Sequence, residues 1–221
     1  MKKSGNKSKI SNKGFLVILS APSGCGKTTV VSWLLKRHPE WGRSISVTTR
    51  PPRPEEKNGK DYEFVSAPQF QSLRRKGEFL EWAEIFGYSY GTRKKTIEEE
   101  VGTGKIVLLA IDIQGARNLR KLLRQKIPFV SIFILPPSVS VLRERLEKRD
   151  TDSVDEIERR IERAQEEIKA AKEYDATVIN RDLDQTVHEI EALILNFKKK
   201  LSSEDDPRLT KATGQRLKAV N

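Results

Sequence analysis

Ala21-Pro22-Ser23-Gly24-Cys25-Gly26-Lys27-Thr28 directly follows the apolar run Phe15-Leu16-Val17-Ile18-Leu19-Ser20. A buried strand that leads into a glycine-rich loop and then a helix is typical of a phosphate-binding loop. Gly24 and Gly26 let backbone N–H groups approach a phosphate, and the following helix directs its positive end at the same anion. Lys27 is expected to reach the β- and γ-phosphates, and the Thr28 hydroxyl suits Mg²⁺. The stretch therefore predicts a nucleoside triphosphate site, although Ala21 stands where the strict pattern has glycine.

Composition excludes several classes of protein. A chain of 221 residues with 36% hydrophobic residues is long enough for one α/β core with insertions. Its single cysteine rules out an internal disulfide and favours a reducing compartment, so we expect a cytoplasmic location. No apolar run reaches the roughly 20 residues of a membrane-spanning helix, and no membrane partner is expected.

The net charge of +11 lies mainly at the two ends of the chain. Residues 1–13 contain five lysines and no acidic residue, and residues 198–221 contribute a further +4, so the body between them carries only +2. Both ends are poor in large apolar residues, and we predict disordered basic tails over 1–13 and 202–221. Because no aromatic residues alternate with the basic ones to stack on bases, no specific nucleic acid partner is expected.

The remaining sequence alternates apolar runs with helical patterns. Nearly continuous apolar character predicts four buried parallel strands, at Phe15–Ser20, Ile106–Ile111, Phe129–Leu135 and Ala176–Ile179. Helices are predicted at about 28–36, 114–125, 139–148 and 183–201. The alternation indicates an α/β fold with a doubly wound parallel sheet, in which ligands bind beyond the carboxyl ends of the strands.

Two stretches do not fit this alternation. Residues 45–97 are rich in Thr, Arg, Pro, Tyr and Gly and predict a small inserted β-rich domain. Residues 149–172 predict a charged helix whose apolar stripe runs from Ile157 to Ala171.

Arg50 and Arg53 lie three residues apart in a proline-stiffened segment of the inserted stretch. Two guanidinium groups that converge on one phosphate make strong bidentate hydrogen bonds, and Tyr62 and Tyr90 are candidates to add a neutral donor. These residues predict a second anion site. The alternative is a basic loop on a solvated surface, and the residue types alone favour neither.

Taken together, the motifs resemble those of guanylate kinases from about Gly14 to Phe197. Besides the loop, the resemblance rests on Thr48-Thr49-Arg50-x-x-Arg53, Asn58-Gly59-Lys60-Asp61-Tyr62-x-Phe64, Phe79-Leu80-Glu81-Trp82-Ala83, Tyr90-Gly91-Thr92, Ile111-Asp112-Ile113-Gln114-Gly115 and Pro136-Pro137-Ser138. It implies a P-loop NTPase core of residues 14–44, 98–138 and 173–201, a GMP-binding domain of residues 45–97 and a helical lid of residues 139–172. It also implies transfer of the γ-phosphoryl group of ATP to GMP, with Mg²⁺ as the cofactor, in purine nucleotide metabolism.

The resemblance also assigns site residues. ATP is expected at Ala21, Pro22, Ser23, Gly24, Cys25, Gly26, Lys27, Thr28 and Asn180, with Thr28 as the Mg²⁺ ligand. GMP is expected at Ser46, Arg50, Arg53, Tyr62, Glu81, Tyr90, Thr92 and Asp112. The side chains expected to act on the transferring phosphoryl group are Lys27, Arg50, Arg149 and Arg160. Arg145 and Arg163 are alternatives for the two lid arginines, and a simple turn is the alternative for Asn180.

Glu81 has an independent chemical reason to bind guanine. One carboxylate accepts both N–H groups that guanine offers at N1 and N2, whereas adenine presents a lone pair at N1. Ala110 departs from the family pattern, which places an acid two residues before Asp112. Two other functions share this fold, a peptide-binding scaffold and a kinase for a phosphorylated sugar. The intact phosphate loop argues against the first, and the base-reading Glu81 and Thr92 argue against the second.

Overall fold

Nine strands and seven α-helices occur within residues 14–123, 126–148 and 153–203, which the computed structural model describes. In chain order they are β1 (Phe15–Ser20), α1 (Lys27–Arg37), β2 (Gly42–Arg43), β3 (Val47–Thr48), β4 (Glu63–Phe64), α2 (Ala67–Arg75), β5 (Phe79–Ile85), β6 (Tyr88–Arg93), α3 (Lys94–Gly102), β7 (Ile106–Ala110), α4 (Ile113–Leu123), β8 (Phe129–Leu135), α5 (Val139–Glu147), α6 (Val154–Lys169), β9 (Ala176–Ile179) and α7 (Leu183–Ser202). The predicted basic tails lie largely outside the described residues.

Five strands form a parallel sheet in the order β2-β7-β1-β8-β9. Strand β1 is central, and every one of its residues is buried. The chain crosses from β1 over β7 to β2 and later from β7 over β1 to β8, so the sheet is wound in both directions. The carboxyl end of β1 is therefore the switch point, where ligands bind in sheets of this kind.

Helices cover both faces of the parallel sheet. Alternate residues of β1 face opposite sides: Val17 packs with α1, α5, α6 and α7, whereas Ile18 packs with α3 and α4. Burial on both faces explains why the strands are continuously apolar. The doubly wound α/β fold predicted from the sequence is confirmed.

A second sheet of four short strands has the order β4-β3-β6-β5. Strands β5 and β6 form an antiparallel hairpin, and β3 pairs antiparallel to β6. Ser66 caps the N-terminus of the following helix α2 in a capping box, in which the Ser66 side chain accepts from Gln69 N and the Gln69 side chain accepts from Ser66 N. This sheet lies within the stretch 45–97 that the sequence predicts as an insertion.

The structure adds elements that the sequence pattern does not indicate. Strand β2 has two residues, too few to form an apolar run. Helix α3 spans residues 94–102 and so crosses the domain boundary expected between residues 97 and 98, because Ile97 packs into the core beside the parallel sheet. None of the helices in the described ranges has both the length and the apolar character of a membrane crossing.

Candidate active site

The loop between β1 and α1 takes a conformation that depends on its glycines. Gly24 and Gly26 have φ angles of 91° and 80°, in the left-handed region that favours glycine. A Cβ on Gly24 would also lie 2.8 Å from Leu142 Cδ1. Cys25 between them is fully buried in the core. The backbone therefore wraps tightly at the carboxyl end of the central strand, in front of the N-terminus of α1.

Lys27, the first residue of α1, points along the same edge of the sheet. Its Nζ donates to the carbonyl oxygen of Ile111 at 3.0 Å. Burial lowers the pKa of Lys27, and the nearby carboxylates of Asp112 and Glu167 oppose that shift. The ammonium group is thus held by the Ile111 carbonyl, within the electrostatic influence of two carboxylates.

The loop forms one wall of a cleft of about 250 Å³, and the second sheet forms the facing wall. Predicted site residues from both stretches line this cleft: Ala21, Pro22, Ser23, Gly24, Cys25, Gly26, Lys27, Thr28, Ser46, Arg50, Arg53, Tyr62, Glu81, Tyr90, Asp112 and Arg160. Ala110 lines it as well. The structure therefore brings the two predicted anion sites into one cavity.

Arg50 and Arg53 lie in the segment after β3, where Glu56 contacts both residues. Both carboxylate oxygens of Glu56 lie 2.8 Å from Arg50 Nη2, and Glu56 also accepts from the backbone N–H of Arg53 at 2.8 Å. The Arg50 guanidinium lies 5.3 Å from the centre of the Tyr62 ring. Burial raises the pKa of Tyr62, so its phenol stays a neutral hydrogen-bond donor at physiological pH.

Glu81 on β5 is almost fully buried beside Asp112. Thr92 does not line the cleft but donates its hydroxyl to Glu81 Oε1 at 2.5 Å. Burial, together with the charge of Asp112, raises the pKa of Glu81 to about 7. A Cβ on Gly115 would lie 2.6 Å from Glu81 Oε2 and 3.1 Å from Asp112 Oδ1, so the glycine lets two carboxylates converge. Such a pair accepts hydrogen bonds from a ligand that carries several N–H groups.

Asn180 lies behind the phosphate loop rather than in the cleft. Its side-chain amide donates to the carbonyl oxygen of Cys25 at 2.9 Å and accepts from the Thr186 hydroxyl at 3.2 Å. Arg145, an alternative candidate for the lid, donates to the Asn180 carbonyl oxygen at 3.1 Å. Asn180 and Arg145 therefore contact the loop or its support.

Helix α6 places Arg160 at the edge of the cleft. Its Nη1 donates to Ser23 Oγ at 3.0 Å, and its Nη2 donates to Glu156 Oε1 at 2.6 Å. Arg163, one turn further along, donates from Nε to Glu167 Oε1 at 2.8 Å. Arg160 thus spans from α6 to the phosphate loop, whereas Arg149 lies outside the described residues.

The sequence comparisons agree with this geometry. The family model of guanylate kinase matches residues 13–196. The chain belongs to the guanylate kinase family. The chain is 48% identical over 185 residues to the guanylate kinase of Wolbachia sp. subsp. Brugia malayi, a match that covers 84% of this chain and 94% of that protein. It is 47% identical over 183 residues to the guanylate kinase of Synechocystis sp., covering 82% and 94% of the two chains.

A solved structure of the family supports the fold. The crystal structure of guanylate kinase from Anaplasma phagocytophilum superimposes with a TM-score of 0.72 at 37% identity. The match covers 86% of this chain and 88% of that one. The family resemblance inferred from the motifs and the P-loop NTPase fold are thereby confirmed.

Sequence reasoning missed several residues in or beside this guanylate kinase cleft, among them Glu56, Phe86 and Glu167. Glu56 accepts hydrogen bonds from Arg50, and the charge of Glu167 opposes the lowering of the pKa of Lys27. Phe86 lines the cleft from the turn between β5 and β6. The spacing of Glu56 from Arg50 within one loop is a signal that sequence reasoning had available. Glu167 and Phe86 are 140 and 59 residues from Lys27 in the chain, so no local pattern links them to it.

Proposed function

We propose that this chain transfers the γ-phosphoryl group of ATP to GMP, giving ADP and GDP, in the cleft between the phosphate loop and the second sheet. One observation carries the proposal: the loop and the Arg50, Arg53 and Glu81 side chains line a single cavity. Donor and acceptor phosphates bound there face each other. Phosphoryl transfer needs that alignment and the neutralisation of charge more than it needs covalent help.

The donor half of the cleft is the phosphate loop. Backbone N–H groups of residues 21–28 surround the phosphates of ATP, and Lys27 adds a cation to the β- and γ-phosphates. Asn180 supports this arrangement by fixing the Cys25 carbonyl from behind. Its contribution is therefore to loop geometry, which a substitution can test.

Replacing Asn180 with alanine should weaken ATP binding about tenfold and lower the free energy of unfolding by about 1–3 kcal/mol, because buried hydrogen-bonding groups lose their partners. Calorimetric ATP titration and thermal unfolding measure the two effects. Asn118→Ala removes a longer hydrogen bond, of 3.5 Å, to Trp82 O outside the cleft and serves as the control. Equal ATP affinity in both variants would contradict this role of Asn180.

In the acceptor half of the cleft, one set of residues binds the phosphate of GMP and another set binds its base. Arg50, Arg53, Tyr62 and Tyr90 bind its phosphate with charged and neutral donors. Glu56 occupies one amino group of Arg50 and so orients the guanidinium without using all of its N–H groups. The phosphate is thus directed at the loop.

The guanine base lies against the pair of carboxylates. Glu81 accepts from N1–H and N2–H, Ser46 and Asp112 line the cleft around the base, and Thr92 supports Glu81. Thr92 donates to one lone pair of Glu81 Oε1, and the remaining lone pairs on the two carboxylate oxygens accept from the base. Adenine would face these oxygens with a lone pair, so discrimination on the order of 10⁴-fold is expected.

The residues present fit Mg²⁺ bound through substrate phosphates. In the described ranges no three Asp, Glu, His or Cys side chains form a metal cage. Thr28 is exposed in the first turn of α1 and lines the cleft, and Mg²⁺ commonly takes one or two protein oxygens with phosphates and water. When bound, the ion would neutralise charge on the β- and γ-phosphates.

Ala110 stands where the family pattern has an acid, so a substitution there tests how the missing carboxylate affects Mg²⁺-dependent ATP binding. Ala110→Asp should lower the Mg²⁺ concentration for half-maximal ATP binding several-fold, because it adds a carboxylate beside the loop at the end of β7. The measurement is ATP affinity by calorimetry at graded Mg²⁺ concentrations. Ala110→Asn has the same shape without the charge, and an equal shift in that variant would refute the explanation.

Arg160 acts on the transferring phosphoryl group from α6, and the lid of residues 139–172 shields it from water. Arg160 already reaches Ser23 on the loop. Arg149 is proposed as its partner on the basis of family resemblance. Arg163 is the alternative for this role, and at present its Nε donates to Glu167 and its Nη2 lies 3.9 Å from Asp112 Oδ2.

The decisive experiment is a coupled assay of ADP release with GMP, dGMP, AMP or no acceptor. We expect rapid turnover with GMP and little with AMP or without an acceptor. Thermal shift with ATP establishes that the protein tested is folded and binds nucleotide. Absence of turnover with GMP under those conditions would reject the proposed reaction, and turnover with a phosphorylated sugar alone would replace it.

A further inference from the structure

The turn between β5 and β6 consists of Phe86 and Gly87, and both residues have a positive φ. Phe86 has a φ of 50°, and it is the one non-glycine residue with positive φ in the described ranges. Bulky side chains rarely adopt this conformation, and glycine or asparagine adopts it more easily. The side chain is 40% exposed. Neither backbone preference nor core packing accounts for an aromatic ring at this turn. The contacts of the ring with other side chains are the remaining explanation.

The ring lies against two arginines of α6. The guanidinium of Arg163 is 4.6 Å from the ring centre, and that of Arg160 is 5.2 Å from it. Both distances lie within the range of cation–π attraction. The contact joins the second sheet, which carries the acceptor residues, to the helix whose Arg160 reaches Ser23 on the phosphate loop.

An aromatic face is chemically suited to hold an arginine that must also bind phosphate. It attracts the cation through its π electrons and uses none of the guanidinium N–H groups. A second carboxylate in the same place would occupy those groups and cancel the charge. Arg160 also donates to the carboxylate of Glu156 on its own helix.

We propose that Phe86 is a positioning residue, which seats Arg160 and Arg163 against the second sheet and so closes the cleft over the phosphates. The proposal rests on the proposed function, because it assigns Arg160 to the transferring phosphoryl group. Phe86 acts through the arginines rather than on the substrate. Its ring holds the two guanidinium groups of α6 at the edge of the acceptor sheet.

The first test replaces Phe86 with alanine. We expect kcat with ATP and GMP to fall about tenfold, which is the order of effect of a partly desolvated cation–π contact. Affinity for ATP alone should change less than twofold, since the loop is intact. Affinity for a dinucleotide that joins adenosine and guanosine through a polyphosphate should fall about tenfold, because that ligand needs the closed cleft. The last measurement requires no turnover.

Two further variants separate the ring from the backbone strain. Phe86→Tyr retains the π face and should restore kcat to within twofold of the original. Phe86→Asn removes the ring but relieves the positive φ, so it keeps the test valid if the alanine variant folds poorly. It should lose activity like the alanine variant while melting at an equal or higher temperature. Full activity in Phe86→Asn would overturn the proposal.

Trp33→Ala is the matched control. Trp33 is 39% exposed and has Lys36 5.9 Å from its ring centre, but it lies on α1 and does not line the cleft. Its removal should leave kcat and dinucleotide affinity within twofold. An equal loss in this variant would mean that loss of any exposed aromatic explains the effect, and the proposal would fall.

A double-mutant cycle with Arg163→Met tests the route of the coupling. If Phe86 acts through the arginines of α6, the double variant should bind the dinucleotide about as weakly as Phe86→Ala. Fully additive losses would count against that route. Failure of the unmodified protein to turn over GMP rejects the proposed function, whereas an active unmodified protein with an equally active Phe86→Ala rejects only the positioning role.

Discussion

Glu81→Gln is expected to abolish selective GMP phosphorylation while making the ligand-free protein more stable at pH 8. The amide presents an NH₂ group where the carboxylate accepts from guanine, so two charge-assisted hydrogen bonds are lost and a donor meets a donor. We expect kcat/KM for GMP to fall by about 10³-fold. Steady-state kinetics with GMP and AMP measure the loss of activity and of base preference.

The gain in stability follows from the raised pKa of Glu81, about 7 compared with the usual 4.5. The folded protein holds this proton more tightly than the unfolded chain, so its stability falls as pH rises from about 4.5 to about 7. Glutamine has no proton to lose and keeps an oxygen for the Thr92 hydroxyl. The variant should therefore gain up to about 3 kcal/mol at pH 8 and little at pH 5.

Denaturant unfolding at pH 5 and pH 8 measures this difference. Glu84→Gln on the same strand is exposed and should change stability equally little at both pH values. If Glu81→Gln were no more stable at pH 8 than at pH 5 relative to the unmodified protein, burial of a titrating carboxyl would be the wrong explanation.

The same carboxyl should make GMP binding depend on pH. Guanine N–H groups bind the ionised form, so affinity should weaken by up to tenfold per pH unit below about 7. The phosphate of GMP also titrates, near pH 6. Glu81→Gln retains the phosphate effect alone and supplies the reference slope.

Lys27→Met is expected to reduce kcat by about 10²- to 10³-fold with little change in stability. The ammonium group neutralises charge that develops on the transferring phosphoryl group, which methionine cannot do. Methionine has a similar length and fills the same space. Since burial already penalises the charged lysine, its removal offsets the loss of the hydrogen bond to Ile111 O.

The coupled assay and thermal unfolding together test this prediction. Lys36→Met, on the exposed face of the same helix, should retain full activity. Lys27→Met with undiminished kcat would remove the lysine from the mechanism. A large loss of stability in the variant would instead assign Lys27 a structural role.

Much of the core could be predicted because its signals are local. Burial on both faces makes β1 and β8 almost continuously apolar, and the predicted bounds of β1, β8 and β9 agree with the structure. Strand β9 was also predicted to be buried, which is wrong: it lies at the edge of the sheet, and Thr177 and Ile179 are exposed. Strand β7 ends one residue earlier than predicted, at Ala110, where the chain turns toward Asp112. Strand β2 has no such signal, since two residues paired to β7 obtain their structure from the partner strand.

Many residues that line the cleft could be predicted from the sequence, but the contacts between them could not. Motif spacing indicates that Arg50 and Arg53 bind an anion, yet only the folded chain shows Glu56 between them. Likewise Asn180 was expected near a nucleotide, and the structure buries its amide against the Cys25 carbonyl 155 residues away. Hydrogen bonds over such separations leave no periodic trace in the sequence.

By itself, the sequence determined the phosphate loop, the parallel α/β core and the family, because each depends on residue types at short, fixed spacings. Tertiary structure alone decided how the loop meets the second sheet, why the pKa of Glu81 is raised beside Asp112, and which residues face Arg160. Those properties depend on burial and on distances between residues far apart in the chain. They arise only when the second sheet and α6 come together around the loop.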